Sequence, residues 1–362
     1  MDILVKNNII KKNKIIVDIG SKFTKVLEVN YASKKITVKD AHKFDSSAMY
    51  QDGTIDFSEI AKTVEHSIKE KKRCEVSVSL PEDLVEAKIV SIKNKKQAEI
   101  PKLIEKEYGS FSRVSPLTHV LDYAYLGQNE ENGDTLHYCM IAAVHKNTVS
   151  QLIAEFEKRK LKITTVTFPF YDMICLSELY HDDYENLSRL MIDFGASGTR
   201  VVAFSEGIPV YVRNIDIGFN TYADRLFIMQ ESVGKPDIAK TLINVGEIGL
   251  ITNEQANKYF AQLDNKIYFD GVSDIGNRLV GEIRRIIELC ETNGIAISKI
   301  IYGGYVINGF EKRLKQLGVE IEKFDLDMCG EKDGKDFLLW IDEVQVGSQY
   351  YDALGLSVNT ML

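Results

Sequence analysis

The chain has 362 residues, 44% of them hydrophobic and 27% charged, which is enough for two domains or for one domain carrying a large insertion. With 45 Lys+Arg against 53 Asp+Glu the formal net charge is −8, which excludes a generally basic surface for coating nucleic acid. Six prolines without a biased tract argue against disorder, and five scattered cysteines with no C-x-x-C pair argue against a disulfide framework or a zinc knuckle.

The opening MDILVKNNIIKKNK lacks the apolar run of a signal peptide, and no stretch of about 18 apolar residues occurs anywhere. The expected location is therefore cytoplasmic. The first informative segment, VDIGSKFTKVLEV (Val17 to Val29), reads as a strand, a Gly-containing turn and a second strand. Next comes VSVSLPEDLVEAKIVSI (Val76 to Ile92), then a helical stretch AEIPKLIEKEYGSF and the hydrophilic, turn-rich GQNEENGD (Gly127 to Asp134). HYCMIAAVHKNTVSQLIAEFEKRKLKITTV (His137 to Val166) has the pattern strand, helix, strand.

IDFGASGTRVVAF (Ile192 to Phe204) then repeats the first hairpin without a gap at an offset of 175: Asp18 matches Asp193, Gly20 matches Gly195, Thr24 matches Thr199, and Lys25 matches Arg200. One such hairpin alone is also read as a simple turn whose aspartate bonds its own backbone. The matched pair favours phosphate chemistry. Glycine permits a tight turn with backbone N–H groups outward, and the hydroxyls add donors. The aspartates suit Mg²⁺, directly or through its water shell.

Further on, SDIGNRLVGEIRRIIELCETNG (Ser273 to Gly294) is a long amphipathic helix, capped at Ser273 or Asp274 and ended by Gly294; Glu282 and Arg285 lie at i, i+3 on one face. KIIYGGYVINGFEKRLKQLG (Lys299 to Gly318) is a strand, a Gly303-Gly304 pair and a helix starting near Asn308, a junction suited to an anion or to a base lying on bare backbone. No P-loop pattern occurs. Trp340 reads as core or edge packing, and the six histidines show no metal spacing.

Two D-[IF]-G hairpins at this separation, followed by strand, Gly-Gly and helix, resemble the actin-like ATPase superfamily of actin, heat-shock chaperones, sugar kinases and FtsA. Within it the chain is most similar to the PilM family of type IV pilus assembly. The resemblance implies an α/β fold of two related domains around a nucleotide cleft, with a small inserted α/β subdomain. The first domain would be 1–188, with the insertion at about 75–135 and residues 345–362 returning to it; the second would be 189–344. ATP and Mg²⁺ would lie in the cleft. Gly20, Ser21, Lys22 and Thr24 would wrap the terminal phosphates from one side, and Gly195, Ala196, Ser197 and Thr199 from the other. Glu282, Arg285, Gly303, Gly304 and Tyr305 would hold the adenosine, and Asp18 and Asp193 the metal.

The resemblance further implies a partner, the cytoplasmic N-terminal peptide of a PilN-like inner-membrane protein, docked between the inserted subdomain and the first domain. Any membrane contact would pass through that partner. Lys22 and Phe23 depart from the small and hydroxyl residues usual in the first hairpin. Tyr305 replaces a third glycine, and Phe168 stands where relatives often have an acid near the attacking water. Asp172 is a substitute for that acid, or else caps or faces solvent on the following helix. Slow or absent hydrolysis is the expectation. The alternatives are an FtsA-like filament protein, for which no C-terminal amphipathic helix is visible, and an active ATPase or small-molecule kinase, for which no base is assigned.

Overall fold

The computed structural model describes residues 12–360 apart from 33–34, 52–53, 70–73, 94–96, 112, 132, 178–186, 223, 226–264, 306–309, 325–337 and 342–349. The chain opens with strands Lys12–Ile19 (β1), Phe23–Ala32 (β2) and Lys35–Asp45 (β3), a short pair Tyr50–Gln51 (β4) and Thr54–Ile55 (β5), and helix Phe57–Ser67 (α1). Strand Cys74–Ser79 (β6) leads to Val85–Lys93 (β7), helix Ile100–Glu107 (α2), and the long strands His119–Glu131 (β8) and Asp134–His145 (β9). Helix Lys146–Glu157 (α3), strand Leu161–Thr167 (β10) and helix Pro169–Ser177 (α4) complete the first half. The second half holds Arg189–Phe194 (β11), Thr199–Ser205 (β12), Ile208–Ile215 (β13), helix Asn265–Thr292 (α5), Lys299–Gly304 (β14), helix Phe310–Leu314 (α6) and Glu320–Lys323 (β15). Leu338–Ile341 (β16) and helix Tyr351–Asn359 (α7) follow.

Two main sheets result, ordered β10-β6-β1-β2-β3-β16 and β13-β12-β11-β14-β15. Each has an antiparallel hairpin, β1–β2 or β11–β12, whose first strand also pairs in parallel with a later strand, β6 or β14. β1 and β11 are thus central, which explains their near-continuous burial: Ile15, Ile16 and Val17 in one, Leu190, Met191 and Ile192 in the other. Each such side chain contributes about 1.5–3 kcal/mol by leaving water. The duplication read from sequence is therefore a duplication of sheets. One core lies against the first sheet and also takes in Met191, Val202, Phe204 and Ile301 of the second, while the alternate residues Leu190, Ile192, Val201 and Ile300 belong to a separate core with α5.

α7 packs on α4, and Gly355 makes this crossing possible, since a Cβ there would sit 2.1 Å from the Asp172 carbonyl oxygen. α7 also packs against β1, β2 and β6 of the first sheet.

Several boundaries differ from expectation. β6 (the CEVSVS stretch) belongs to the first main sheet, between β10 and β1, not to the insertion. The inserted sheet is β7-β9-β8 with α2 against it, spanning residues 85–145 rather than about 75–135, and it has its own small core around Ile100, Ile104, Cys139 and Ile141. GQNEENGD is mostly strand: β8 runs through Glu131 and pairs with Asp134 at the start of β9. β16, assigned to the second half, pairs in parallel with β3 at the edge of the first sheet. α5 begins at Asn265, earlier than the expected cap at Ser273 or Asp274; its end holds, with Gly294 at φ +78° and the Ile295 amide donating back to the Cys290 carbonyl at 2.9 Å. The start of the next helix near Asn308 lies outside the described residues, and α6 is seen from Phe310.

Candidate functional site

The two hairpin turns face each other. The Ser21 hydroxyl donates to the Ser197 hydroxyl at 3.0 Å, joining residues from opposite halves of the chain. A cavity of about 580 Å³ opens at this junction, lined by both turns, by Glu82 and Asp83 after β6, by Val85 to Ala87 of the insertion and by Val212 to Asn214 of β13. The insertion thus roofs a cleft whose floor is the pair of turns.

Each turn is closed by its own glycine. The Gly20 amide donates to the Phe23 carbonyl at 3.1 Å and the Gly195 amide to the Gly198 carbonyl at 2.9 Å. A Cβ would lie 2.6 Å from the first of these oxygens and 2.7 Å from the second. The glycines are needed for the turn itself, and their amides do not point outward as expected. Ser21, Lys22, Ala196 and Ser197 line the cavity. Thr24 and Thr199 do not. Both are fully buried beneath the turns, and the Thr199 hydroxyl donates to the Ile217 carbonyl at 2.6 Å. Their expected role on phosphate is not met by this arrangement.

The aspartates sit where each first strand meets its turn, and each lies directly across the hairpin from a base. Asp18 pairs with Lys25 and Asp193 with Arg200 in the strand register. Lys25 Nζ is 2.6 Å from Asp18 Oδ2, and Arg200 Nε donates to Asp193 Oδ2 at 3.0 Å. Arg200 reaches further, to Glu82 at 3.0 Å and to Asp352 of α7 at 2.9 Å. Burial alone would lower the pKa of Lys25 and of Arg200, but the surrounding acids outweigh it, and both are raised. Asp352 is pushed well above the usual carboxylate range by burial, against the pull of Arg200 and with the push of Asp193 and Asp18. Its Oδ1 has no hydrogen-bond partner. Lys25, Arg200, Glu82 and Asp352 were not singled out as site residues from sequence. The signal was present in the repeat, which carries a base seven residues after the acid in both copies.

The expected adenosine residues are dispersed. Glu282 and Arg285 bond each other on α5, with the Arg285 side chain 73% exposed, and neither lines the cavity. Gly303 and Gly304 are buried: a Cβ on Gly303 would strike the Tyr351 ring at 2.6 Å, and one on Gly304 (φ +85°) would strike Asp193 Oδ1 at 2.4 Å. The Gly-Gly pair therefore lets β14 pack against α7 and the second hairpin, and it offers no bare backbone to a base. Tyr305 does line the cavity, between Phe23 and Phe219 at ring centroid distances of 5.8 and 6.0 Å.

Phe168 is a core residue and does not line the cleft. Asp172 does not face solvent either. It is fully buried and accepts from the Ser79 hydroxyl at 2.6 Å.

A magnesium ion takes near-octahedral oxygen ligands at about 2.0–2.1 Å. Among the described residues, the three acidic or histidine side chains whose ligand atoms come within 4.8 Å of one another are Glu28, Asp40 and His42, on β2 and β3 and away from the cleft. Asp18 and Asp193 are each closed on an internal cation. The cleft as built does not fit a magnesium held by these two carboxylates.

No family model matches the chain, and no curated protein matches it in sequence. Among solved structures, a PilM-PilN type IV pilus biogenesis complex superposes over 98% of this chain and 100% of that one with a TM-score of 0.73 at 17% identity. The chain has the actin-like ATPase fold. The ethanolamine utilization protein EutJ of Carboxydothermus hydrogenoformans matches over 97% of this chain and 91% of its own at TM-score 0.49 and 13% identity. MreB 5 of Spiroplasma citri bound to AMPPNP matches over 97% of both chains at TM-score 0.47 and 12% identity.

Proposed function

We propose that the chain is a PilM-like adaptor: an actin-fold protein of the type IV pilus assembly platform that binds ATP in its cleft and holds the N-terminal cytoplasmic peptide of a PilN-like membrane protein. The observation that carries this reading is the end-to-end superposition on PilM in its complex, insertion included. No helix among the described residues is long and apolar enough to cross a membrane, which agrees with a peripheral position on the inner face held by the partner.

An extended peptide needs an exposed strand edge and apolar pockets. β8 is an outer strand of the inserted sheet, and Val120, Tyr123 and Tyr125 on it are exposed, with Leu117 just before it 85% exposed. Lys146 at the start of α3 donates to the Pro116 and Leu117 carbonyls, which sets this apolar edge at the junction of the insertion and the first half.

In the cleft, Lys22, Lys25, Arg200 and Arg213 face Asp18, Glu82, Asp83, Glu86, Asp193, Asp216 and Asp352. That excess of acid favours ATP arriving as its own magnesium chelate over the bare anion. Slow or absent hydrolysis is part of this reading, since Phe168, at the position read for the acid near the attacking water, is a core residue.

The test is a titration of the purified chain with a synthetic N-terminal peptide of the PilN-like protein encoded in the same genome, followed by ATP calorimetry. Micromolar peptide binding that is lost in Tyr123→Ala supports the adaptor. No binding at millimolar peptide overturns it. The FtsA-like reading requires a membrane-binding helix, whereas α7 is buried from Tyr351 to Val358; flotation of the chain with liposomes would revive that reading.

A further inference from the structure

The cleft contains one side chain that ties together more elements than any hairpin residue needs to. Arg200 leaves the β12 strand of the second half and meets three carboxylates: Asp193 on β11, Glu82 after β6, and Asp352 on α7. The last two belong to the first half. All three contacts are largely removed from water, since the Arg200 side chain is 10% exposed and those of Asp193 and Asp352 are 4% and 2% exposed. A planar guanidinium with five donors suits carboxylates that approach from several directions, and with it in place the ligand atoms of these three stand wider apart than a single bound ion would hold them.

We propose that Arg200 is the resident cation of this cleft: its guanidinium fills, among Asp193, Glu82 and Asp352, the place that a divalent ion would take, and clasps the two halves together before any ligand arrives. The first hairpin has a reduced version of the same device in Lys25, whose ammonium donates to Asp18 at 2.6 Å. The unpartnered Oδ1 of Asp352, on a residue only 2% exposed, marks where a better cation would bind once the guanidinium is gone. The inference concerns the cation of the cleft and holds whether or not nucleotide or a pilus peptide binds, so its failure is separate from that of the adaptor reading.

The experiment is a titration of the nucleotide-free full chain with Mn²⁺, read by electron paramagnetic resonance. In the unmodified chain no bound ion sensitive to Glu82→Gln is expected up to the millimolar range. In Arg200→Ser the three carboxylates lose their counter-charge, and one Mn²⁺ should bind at least about tenfold more tightly than in the unmodified chain, with the gain abolished by adding Glu82→Gln. Arg200→Lys keeps a charge and should bind no such ion. The proposal is overturned if the unmodified chain already holds a Glu82-dependent Mn²⁺, a result that stands even if Arg200→Ser does not fold. It is equally overturned if folded Arg200→Ser gains none. Hydrogen exchange supplies the second arm: amides of the turn at Gly195 to Gly198 should exchange faster in folded Arg200→Ser than in Arg200→Lys, and equal rates would remove the clasp.

Discussion

Ser21 and Ser197 touch through their hydroxyls at 3.0 Å although 176 residues separate them. Their contact places the two duplicated turns on opposite walls of one gap. Like charges about 4 Å apart repel by about 1 kcal/mol in water and about 4 kcal/mol at the effective dielectric of a protein surface. Replacing both serines with aspartate should therefore part the turns and weaken ATP binding by roughly tenfold or more, while far-ultraviolet circular dichroism stays unchanged. Ser21→Ala alone removes one exposed hydrogen bond and should cost less than about 1 kcal/mol in urea denaturation. Unchanged ATP affinity in the double variant would separate the turns from the binding site.

Asp193→Ala has a different consequence from the loss of a metal ligand. It removes one of the three carboxylates on a buried guanidinium, and breaking a buried ion pair typically costs about 3–5 kcal/mol. The remaining partners, Glu82 and Asp352, soften this. A fall of about 2–4 kcal/mol in unfolding free energy is expected, measurable by chemical denaturation without nucleotide. Asp18→Ala should behave similarly through Lys25. A variant as stable as the parent would mean that Arg200 repacks at no cost.

Gly304→Val tests what the Gly-Gly pair is for. Read as a floor for adenine, Gly304 would accept valine without unfolding. Its φ of +85° and the 2.4 Å distances from a Cβ to Asp193 Oδ1 and the Phe194 carbonyl oxygen point to a structural need instead. Left-handed strain of about 1–3 kcal/mol adds to a clash with backbone. Loss of soluble folded protein, or a drop in melting temperature of several degrees, is expected; a normally folded Gly304→Val with blocked ATP binding would restore the adenine role.

Much of this architecture was legible because it is written in local pattern. The buried runs of β1 and β11, the D-x-G turns and their offset of 175 are all periodic or repeated, and they gave two sheets and a facing pair of hairpins. The strand, helix, strand unit of β9, α3 and β10 was readable for the same reason. What local pattern does not encode is which neighbour a strand chooses. β6 and β16 join the first sheet through long-range pairing, and no residue in either announces its partner. The ion cluster was hidden in the same way: Arg200 was visible as the match of Lys25, but Glu82 and Asp352 reach it from distant points of the chain. The Gly303-Gly304 pair was ambiguous for a related reason: close packing and ligand approach demand the same residue, and local pattern does not tell them apart.

Asp172 makes stability depend on pH. Burial is the main cause that raises its pKa well above 3.8; the Ser79 hydrogen bond opposes this, and the charge of Asp18 adds to it. The folded chain therefore holds this proton more tightly than the unfolded chain. Its contribution is fully present below the unfolded pKa and is lost as pH rises from there through the folded value, at up to about 1.4 kcal/mol per pH unit. Asp352 acts in the same direction. Asp172→Asn keeps an acceptor for Ser79 and carries no charge, so urea denaturation between pH 5 and about 8 should show a shallower decline and a more stable protein at the upper end. Parallel curves for the two proteins would show that Asp172 releases no proton in that window.

Tyr305 decides how much room a base has. Its ring lies between Phe23 and Phe219, under the Lys43 ammonium at 5.6 Å, and its hydroxyl has no hydrogen-bond partner. It borders the main cavity on one side and, on the other, a space of about 10 Å³ enclosed with Phe194, Phe219, Tyr222 and Leu279. Aromatic rings therefore fill the ground beside the turns where the flat part of a nucleotide would extend. Truncating the ring in Tyr305→Ala merges the two spaces, at a cost below the roughly 3–5 kcal/mol of a fully buried aromatic because this side chain is half-buried. Adenine brings its own apolar surface to replace the lost ring contacts, so ATP should bind the variant at least about fivefold more tightly by calorimetry, while inorganic triphosphate, which has no base, should bind both proteins alike. Weaker ATP binding to Tyr305→Ala would instead make the ring the platform on which the base stacks.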